Sequence, residues 1–420
     1  MKMKNIKKNQ LYNSILIIVV VLCIFQDYLS SFVLLFKYYD EMLCIIAIPL
    51  FVFRLIANRG KIKSNKFERK IVLSIALLVL LGIFGFCLNS TQPLAACLGD
   101  LLLNLKWFLA IYLGFYFSSK ITKMNYKLIN NFLWAVSILF LSLLMLNMIF
   151  HIFEGEELRF GVQIPRLFYS HSSVLASMGT LLMVITYACY KKIYKPNVLI
   201  FFQISIILAT LRFKAIAIGL VGTLVFIITI VNKHKLKWWH YFVMALGAIA
   251  IAYNQISTYY GIGISKNARG MLTLTAIKIA QDEFPLGVGF GTFGCHMSKV
   301  FYSNIYSKYG IDLVWGLSKA SGSDSFISDT FWPMILGQFG VFGMLIYIYI
   351  IYLIYKEIKK IWNVNRFYYL SGVVILTYLL IESTASAAFV GPEAVPFGIW
   401  LGIVLTYRRN YYKERINKNG

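Results

Sequence analysis

Residues 70–88, KIVLSIALLVLLGIFGFCL, decide the fold class of this chain. After Lys70 the stretch carries no charge and a single hydroxyl side chain, Ser74. It is as long as the roughly 20 residues that a helix needs to cross a bilayer. Comparable apolar segments recur along the whole chain, near 12–31, 41–57, 99–118, 128–150, 172–190, 197–211, 213–231, 239–256, 327–355, 367–386 and 389–407. The sequence therefore predicts an all-α polytopic membrane protein with about twelve transmembrane helices.

The composition excludes a soluble protein of this size. Of 420 residues, 59% are hydrophobic and only 14% are charged, and the mean hydropathy is +0.70. Soluble domains contain roughly 25% charged residues. So large an apolar fraction requires lipid as the surrounding solvent.

The net charge of +24 is a signal of topology. Most of the 41 Lys and Arg residues lie at the two termini and in alternate connections, at 54–70, 120–127, 191–195, 233–237 and 356–366. Cytoplasmic loops of membrane proteins carry such an excess of basic residues. Both termini are therefore predicted to be cytoplasmic, with the inner loops attracted to anionic lipid. A nucleic-acid partner is not expected, because binding one requires a basic face on a soluble domain.

The chain divides into three parts around one long polar segment. Residues 1–256 hold the first nine predicted helices, 257–326 form a large extracytoplasmic loop, and 327–420 hold the last three helices and a cytoplasmic tail. The loop is far longer than a helix connection requires. It contains Trp315, many Tyr and Phe residues, and a predicted helix over 268–283 that Pro285 closes. We expect it to form a structured lid between helices nine and ten.

Two cations follow the seventh apolar segment. Residues 197–211 form a helix of only about 21 Å, whereas a hydrocarbon core is about 30 Å thick. A helix that starts at the inner boundary therefore places Arg212 and Lys214 below the outer surface. Charges at that depth usually mark a functional site or a buried ion pair. The alternative is that both side chains extend outward to water.

Further cations are predicted near the same face. Arg166 lies just before the sixth span, and Arg269 opens the predicted loop helix. A helix N-terminus already carries partial positive charge, so a cation there needs another reason. Arginines bind phosphate oxygens bidentately. Arg212, Arg269, Arg166 and Lys214 are thus candidate ligands for a phosphate or pyrophosphate.

Three residues are candidate general bases. Asp324 and Asp329 flank the start of the tenth span, and His296 follows a glycine-rich stretch. Asp329 has an alternative interpretation as a helix cap, a role that aspartate fills well. Without further information the base is one of these three.

The glycine-rich stretch 285–294, PLGVGFGTFG, is not a nucleotide-binding loop. It follows a helix instead of a strand and lacks the Lys-Ser/Thr pair that ends such loops. The remaining functional interpretation is a tight turn whose backbone amides face an anion.

Three segments together resemble the O-antigen polymerase and O-antigen ligase superfamily of bacterial surface-polysaccharide enzymes. Leu211-Arg212-Phe213-Lys214-Ala215 is similar to an arginine-containing helix start in that superfamily. Arg269 with 284–293 resembles its loop signature, an arginine before a glycine-rich Pro-containing segment. Residues 329–343 resemble its return into the membrane. Ligases of the superfamily carry His-Asn at this last motif, and Asp329-Thr330 here favours a polymerase of the exopolysaccharide or capsule type.

The resemblance implies a metal-independent glycosyltransferase without a cofactor in the bacterial cytoplasmic membrane, with its active site facing outward. Its substrates would be undecaprenyl-diphosphate-linked oligosaccharides, and its partners a chain-length regulator and a flippase. In this interpretation Arg212 and Arg269 hold the pyrophosphate, Arg166 assists, and Asp329 accepts the proton of the acceptor hydroxyl. Two alternatives stay open, an O-antigen ligase-type glycan transferase and a lipid-linked oligosaccharide flippase or transporter. The transporter is disfavoured because transporters are expected to have two similar halves, whereas the two halves of this chain are unlike.

Overall fold

The structure is a computed structural model, and it describes residues 2–57, 66–89, 92–159, 161–261, 264 and 267–419. Helices make up most of it. The longer ones are α1 (Lys2–Ile24), α3 (Tyr39–Ala57), α4 (Lys66–Asn89), α5 (Leu94–Lys120), α6 (Tyr126–Phe150), α7 (Ser172–Cys189), α8 (Pro196–Ala209), α9 (Phe213–Phe226), α10 (Trp238–Tyr260), α11 (Ala268–Asp282), α14 (Phe331–Ile361), α15 (Arg366–Glu382) and α16 (Ala394–Asn419). The short ones are α2 (Gln26–Ser30), α12 (His296–Val300) and α13 (Ile305–Lys308). A two-stranded antiparallel ribbon pairs β1 (Leu158–Arg159) with β2 (Val162–Gln163).

Seven of the described helices are long and apolar enough to cross a membrane. They are α1, α4, α5, α6, α7, α14 and α9 with its π-helical continuation to Val231. The helical membrane class is therefore confirmed. The count of twelve spans stays a prediction, although each predicted span coincides largely with a helix. Helices α8 and α10 are apolar but offer shorter windows.

The centre of the bundle is formed by α5, α7 and α16. Nearly all of α7 is buried. Helix α16 packs closely along α5, because small residues lie where the two helices meet. A Cβ on Gly114 or Gly402 would overlap backbone atoms of the facing helix, and one on Gly398 would press on Ala110. Small residues at such crossings let helix backbones approach closely within a membrane. The remaining helices surround this centre.

The glycine-rich stretch is inserted into the bundle between α4, α5 and α14. Gly340 interrupts α14 with φ +65°, a conformation that glycine adopts readily. The interruption frees the carbonyls of Gly337 and Gln338 to accept hydrogen bonds from the amides of Val288 (3.0 Å) and Gly289 (2.9 Å). Segment 285–291 is thereby tied to the break in α14.

The segment between α10 and α14 has an apolar core of its own. Buried residues of α11 and of residues 305–327 pack together, including Leu272, Ile279, Tyr306, Leu317 and Ile327. The helix predicted over 268–283 is confirmed within one residue as α11, and α10 extends to Tyr260, past the predicted boundary at 256. The prediction of a structured segment is therefore supported, while its position outside the membrane stays a prediction.

Candidate functional site

The turn between α8 and α9 positions the first two predicted site residues. Helix α8 has 14 residues, which confirms the short segment predicted before the turn. Leu211 adopts φ +48°, and Arg212 is the extended residue that precedes the first turn of α9. The chain thus reverses within three residues, and Arg212 and Lys214 both project near the start of α9.

Arg212 lies in a cluster built by the loop that precedes α7. Its guanidinium forms an ion pair with Glu156, donates to the Ser172 hydroxyl at 2.8 Å and lies 3.1 Å from Nε2 of His171. A second carboxylate, that of Glu157, is 3.3 Å away. The Arg212 side chain is only 18% exposed. Arg212 is therefore a largely buried side chain held by several partners, and the alternative of a side chain extended to water does not apply to it.

The protonation states around Arg212 follow from this packing. Burial alone would raise the pKa of Glu156, but the hydrogen bond from the Ser172 amide and the charge of Arg212 outweigh it and hold that pKa below its ordinary value. Burial, followed by the Arg212 charge, also lowers the pKa of His171. Since the unperturbed histidine pKa is near 6.5, His171 is neutral at pH 7. The cluster therefore contains a carboxylate, a guanidinium and an uncharged imidazole.

Lys214 faces the opposite side of the same turn. Its ammonium forms an ion pair with Glu382 at the end of α15. The Ser386 hydroxyl donates to the same carboxylate at 3.2 Å. Arg212 and Lys214 are only two residues apart, yet they link α9 to two different parts of the bundle. The turn therefore presents two cations within one polar region.

Arg269 and Asp329 form a second location. The Arg269 guanidinium lies 3.0 Å from the Asp329 carboxylate. The residue at the N-cap of α14 is Thr330, and no side-chain cap hydrogen bond is formed there. The alternative interpretation of Asp329 as the helix cap is therefore wrong, because its carboxylate binds Arg269. The pair joins the first turn of α11 to the start of α14.

The other predicted site residues lie elsewhere. Arg166 forms an ion pair with Glu154 at 2.9 Å beside a cavity of about 450 Å³ that Asp27 also lines. His296 begins α12, where burial and then Lys299 lower its pKa. The side chain of Asp324 lies outside the described part of the chain. The structure thus brings Arg212 together with Lys214, and Arg269 with Asp329.

The anion-binding interpretation of the glycine-rich stretch is wrong for its central amides. In addition to the two bonds to α14, Phe290 donates to the carbonyl of Gly82 at 3.2 Å. Gly291 donates to the Asp100 carboxylate at 2.8 Å. The amides of 288–291 are therefore occupied within the protein, and this stretch has a packing role.

Two groups of charged residues were not found by sequence reasoning. Lys106 is buried and contacts Asp40 at 2.5 Å and Glu41 at 2.8 Å, with Gln26 donating to Asp40 at 2.7 Å. The spacing offered no signal, since about 65 residues separate the lysine from its acids. The signal that was available is a charge inside an apolar span, which usually marks function or pairing. The other is Glu393, directly before α16, with Glu382, Asp27 and Asp40 among the charges that act on it.

Comparison with known families and curated proteins assigns no function to this chain, so its function is inferred from the site. No protein-family model matches the sequence, and no curated protein is significantly similar to it.

Proposed function

We propose that this protein is a membrane glycosyltransferase that polymerises undecaprenyl-diphosphate-linked oligosaccharide repeat units into a surface polysaccharide at the outer face of the bacterial cytoplasmic membrane. The observation that carries the proposal is the turn with Arg212 and Lys214. It places two largely buried cations at the end of a 14-residue helix that is shorter than the hydrocarbon core is thick. A lipid-linked diphosphate presents its charge at this depth.

The proposed arrangement in the membrane has twelve spans and both termini in the cytoplasm. Residues 257–326 then lie outside as a lid above the Arg212 turn. The resemblance to polysaccharide polymerases and the alternation of basic connections support this arrangement. The apolar core around α11 gives the lid the rigidity to enclose two saccharides.

The proposed reaction is a direct displacement. The acceptor hydroxyl oxygen bonds to the anomeric carbon of the donor, and the bond from that carbon to the diphosphate oxygen breaks. The electron pair leaves with the lipid diphosphate, whose charge Arg212 and Lys214 stabilise. The hydroxyl proton passes to a carboxylate, for which we propose Asp329, oriented by Arg269 at 3.0 Å. Arg166 assists in holding the donor.

The carboxylates beside the cations have a defined part in this scheme. Glu156 and Glu382 fix the two cationic side chains before a substrate arrives. A diphosphate carries more charge than a single carboxylate, so it can displace one carboxylate while the other keeps the turn in place. Arginine suits this role because its planar fork offers several donors at once.

The proposal is tested in a deletion strain complemented with Arg212→Ala, Arg212→Lys or Arg269→Ala. Loss of one charge-stabilising group costs about 10²–10³ in rate. We therefore expect long polymer to disappear while single repeat units remain, with partial recovery in Arg212→Lys. Lys308→Ala is the matched control, because Lys308 also pairs with an acid, Glu283, but is 55% exposed.

Immunoblots of the membrane fraction check that each variant accumulates normally. Normal polymer from both Arg212→Ala and Arg269→Ala would contradict the proposed site. Polymer loss without accumulation of repeat units on the lipid would contradict the proposed reaction.

A further inference from the structure

An apolar groove of about 370 Å³ lies between α3 and α4, with α5 as its floor. It lies at the predicted cytoplasmic ends of these helices, whereas the Arg212 turn is predicted to lie toward the outer face. Aliphatic and aromatic side chains line it on all sides, among them Phe51, Ile71, Ile75, Val79, Phe108 and Leu109. Its dimensions and chemistry fit a hydrocarbon chain.

The groove ends at a cluster of two arginines and one glutamate. Arg54 lies 2.8 Å and Arg409 lies 2.6 Å from the two oxygens of Glu68. Glu68 is only 8% exposed, while both arginines are about one-third exposed. The buried Nε of Arg409 has no hydrogen-bond partner in the described part of the chain. One acid therefore fixes two cations, and the cluster keeps a net positive charge.

Helix α16 joins the charged cluster to the apolar groove. Leu405 lines the groove, and Arg409 follows four residues later on the same face of the helix. On α4, exposed Lys66, Arg69 and Lys70 surround Glu68. The cations at the end of the groove match the charged headgroup of an anionic lipid, and the apolar side chains within the groove match its acyl chain.

We propose that this groove binds an anionic phospholipid, with one acyl chain between α3 and α4 and its phosphate against Arg54 and Arg409. Burial of the chain contributes apolar contact, and the arginines add selectivity for a negatively charged headgroup. The site goes beyond the proposed transferase reaction and does not depend on it. It differs from general lipid contact because three helices and a fixed cation pair enclose one chain.

The proposal is tested by native mass spectrometry of the purified full-length protein titrated with phosphatidylglycerol or phosphatidylcholine. The wild type is expected to retain phosphatidylglycerol preferentially. Arg409→Gln removes one cation and is expected to weaken that retention about fivefold. Ala76→Phe fills the groove, which Ala76 lines, and is expected to weaken the retention of both lipids.

Two control variants separate the site from its surroundings. Lys192→Gln removes an exposed cation of another predicted cytoplasmic connection, and Leu73→Phe enlarges a side chain of α4 that is 60% exposed; both variants are expected to bind as the wild type does. Lipid-free melting temperatures show that every variant is folded. Equal retention of the two lipids by the wild type, or unchanged retention by Arg409→Gln and Ala76→Phe, would overturn the proposal. So would loss of a dimer in Ala76→Phe, since a second copy would then be the occupant.

Discussion

Glu393 is a carboxylate that forms no ion pair within the described part of the chain. It follows Gly391 and Pro392 and immediately precedes α16. Glu382, Asp27 and Asp40 add further negative charge around it. An ionisable residue within a predicted span usually marks a functional site, so Glu393 is a group to test beside Asp329 in proton transfer.

We predict that Glu393→Gln raises the melting temperature in detergent at pH 8. Glu382, Asp27 and Asp40 add negative charge around Glu393, and replacing its carboxylate with an uncharged amide removes repulsion between like charges. A melting temperature equal to or below that of the wild type would contradict this account of the site.

At the level of residues, sequence reasoning found the cations more readily than their partners. Arg212 and Lys214 stand out because charge interrupts an apolar run. Their partners Glu156 and Glu382 lie 56 and 168 residues away along the chain, and spacing gives no information about contacts at that separation. Local pairs such as Arg166 with Glu154, which are 12 residues apart, are easier to predict because both residues lie in one short loop.

At the level of elements, helix positions were predictable and the role of the glycines was not. Hydropathy predicts α8, and the helical stretch that Pro285 closes predicts α11, because both depend on local sequence. The stretch 285–294 was interpreted through its glycines as an anion-facing turn. Two of its amides instead donate to the carbonyls of Gly337 and Gln338, which the break at Gly340 leaves free in α14. That break is a backbone conformation set by tertiary packing, and glycine content alone does not reveal it.

Gly289 tests this account of the inserted segment. It adopts φ +86°, and an added Cβ would overlap the backbone of Phe86 in α4. Gly289→Ala is expected to destabilise the fold by at least about 2 kcal/mol, because neither the backbone conformation nor the space suits a side chain. Gly247→Ala is the control, since nothing lies within 4 Å of a Cβ there. Melting temperatures should fall for Gly289→Ala alone, and equal values would show that the segment is not packed as described.

At the level of the whole molecule, composition decides the class and the packing decides the arrangement. The apolar composition and the basic connections predict a membrane bundle with a defined orientation. They do not predict that α16 packs on α5, or that Arg409 meets Glu68 across 341 residues. Such contacts depend on small residues and single charges that occur throughout membrane helices. Orientation is therefore the whole-molecule property that the sequence supports most directly.

Orientation is open to a direct test with single cysteines. Five of the six native cysteines are buried, and the exposed Cys87 is replaced by serine in the background chain. Leu313, which is 90% exposed, lies in the predicted outer loop, whereas the exposed Lys192 lies in a predicted cytoplasmic connection. A membrane-impermeant maleimide applied to intact cells is expected to label Leu313→Cys, and to label Lys192→Cys only after permeabilisation. An odd number of spans separates the two positions in the twelve-span arrangement, because α8, α9 and α10 lie between them. Labelling of both positions from the same side would mean that one of these three helices does not cross the membrane. Helix α8 would then be the helix that fails to cross, because it is the shortest of the three and carries the Arg212 turn.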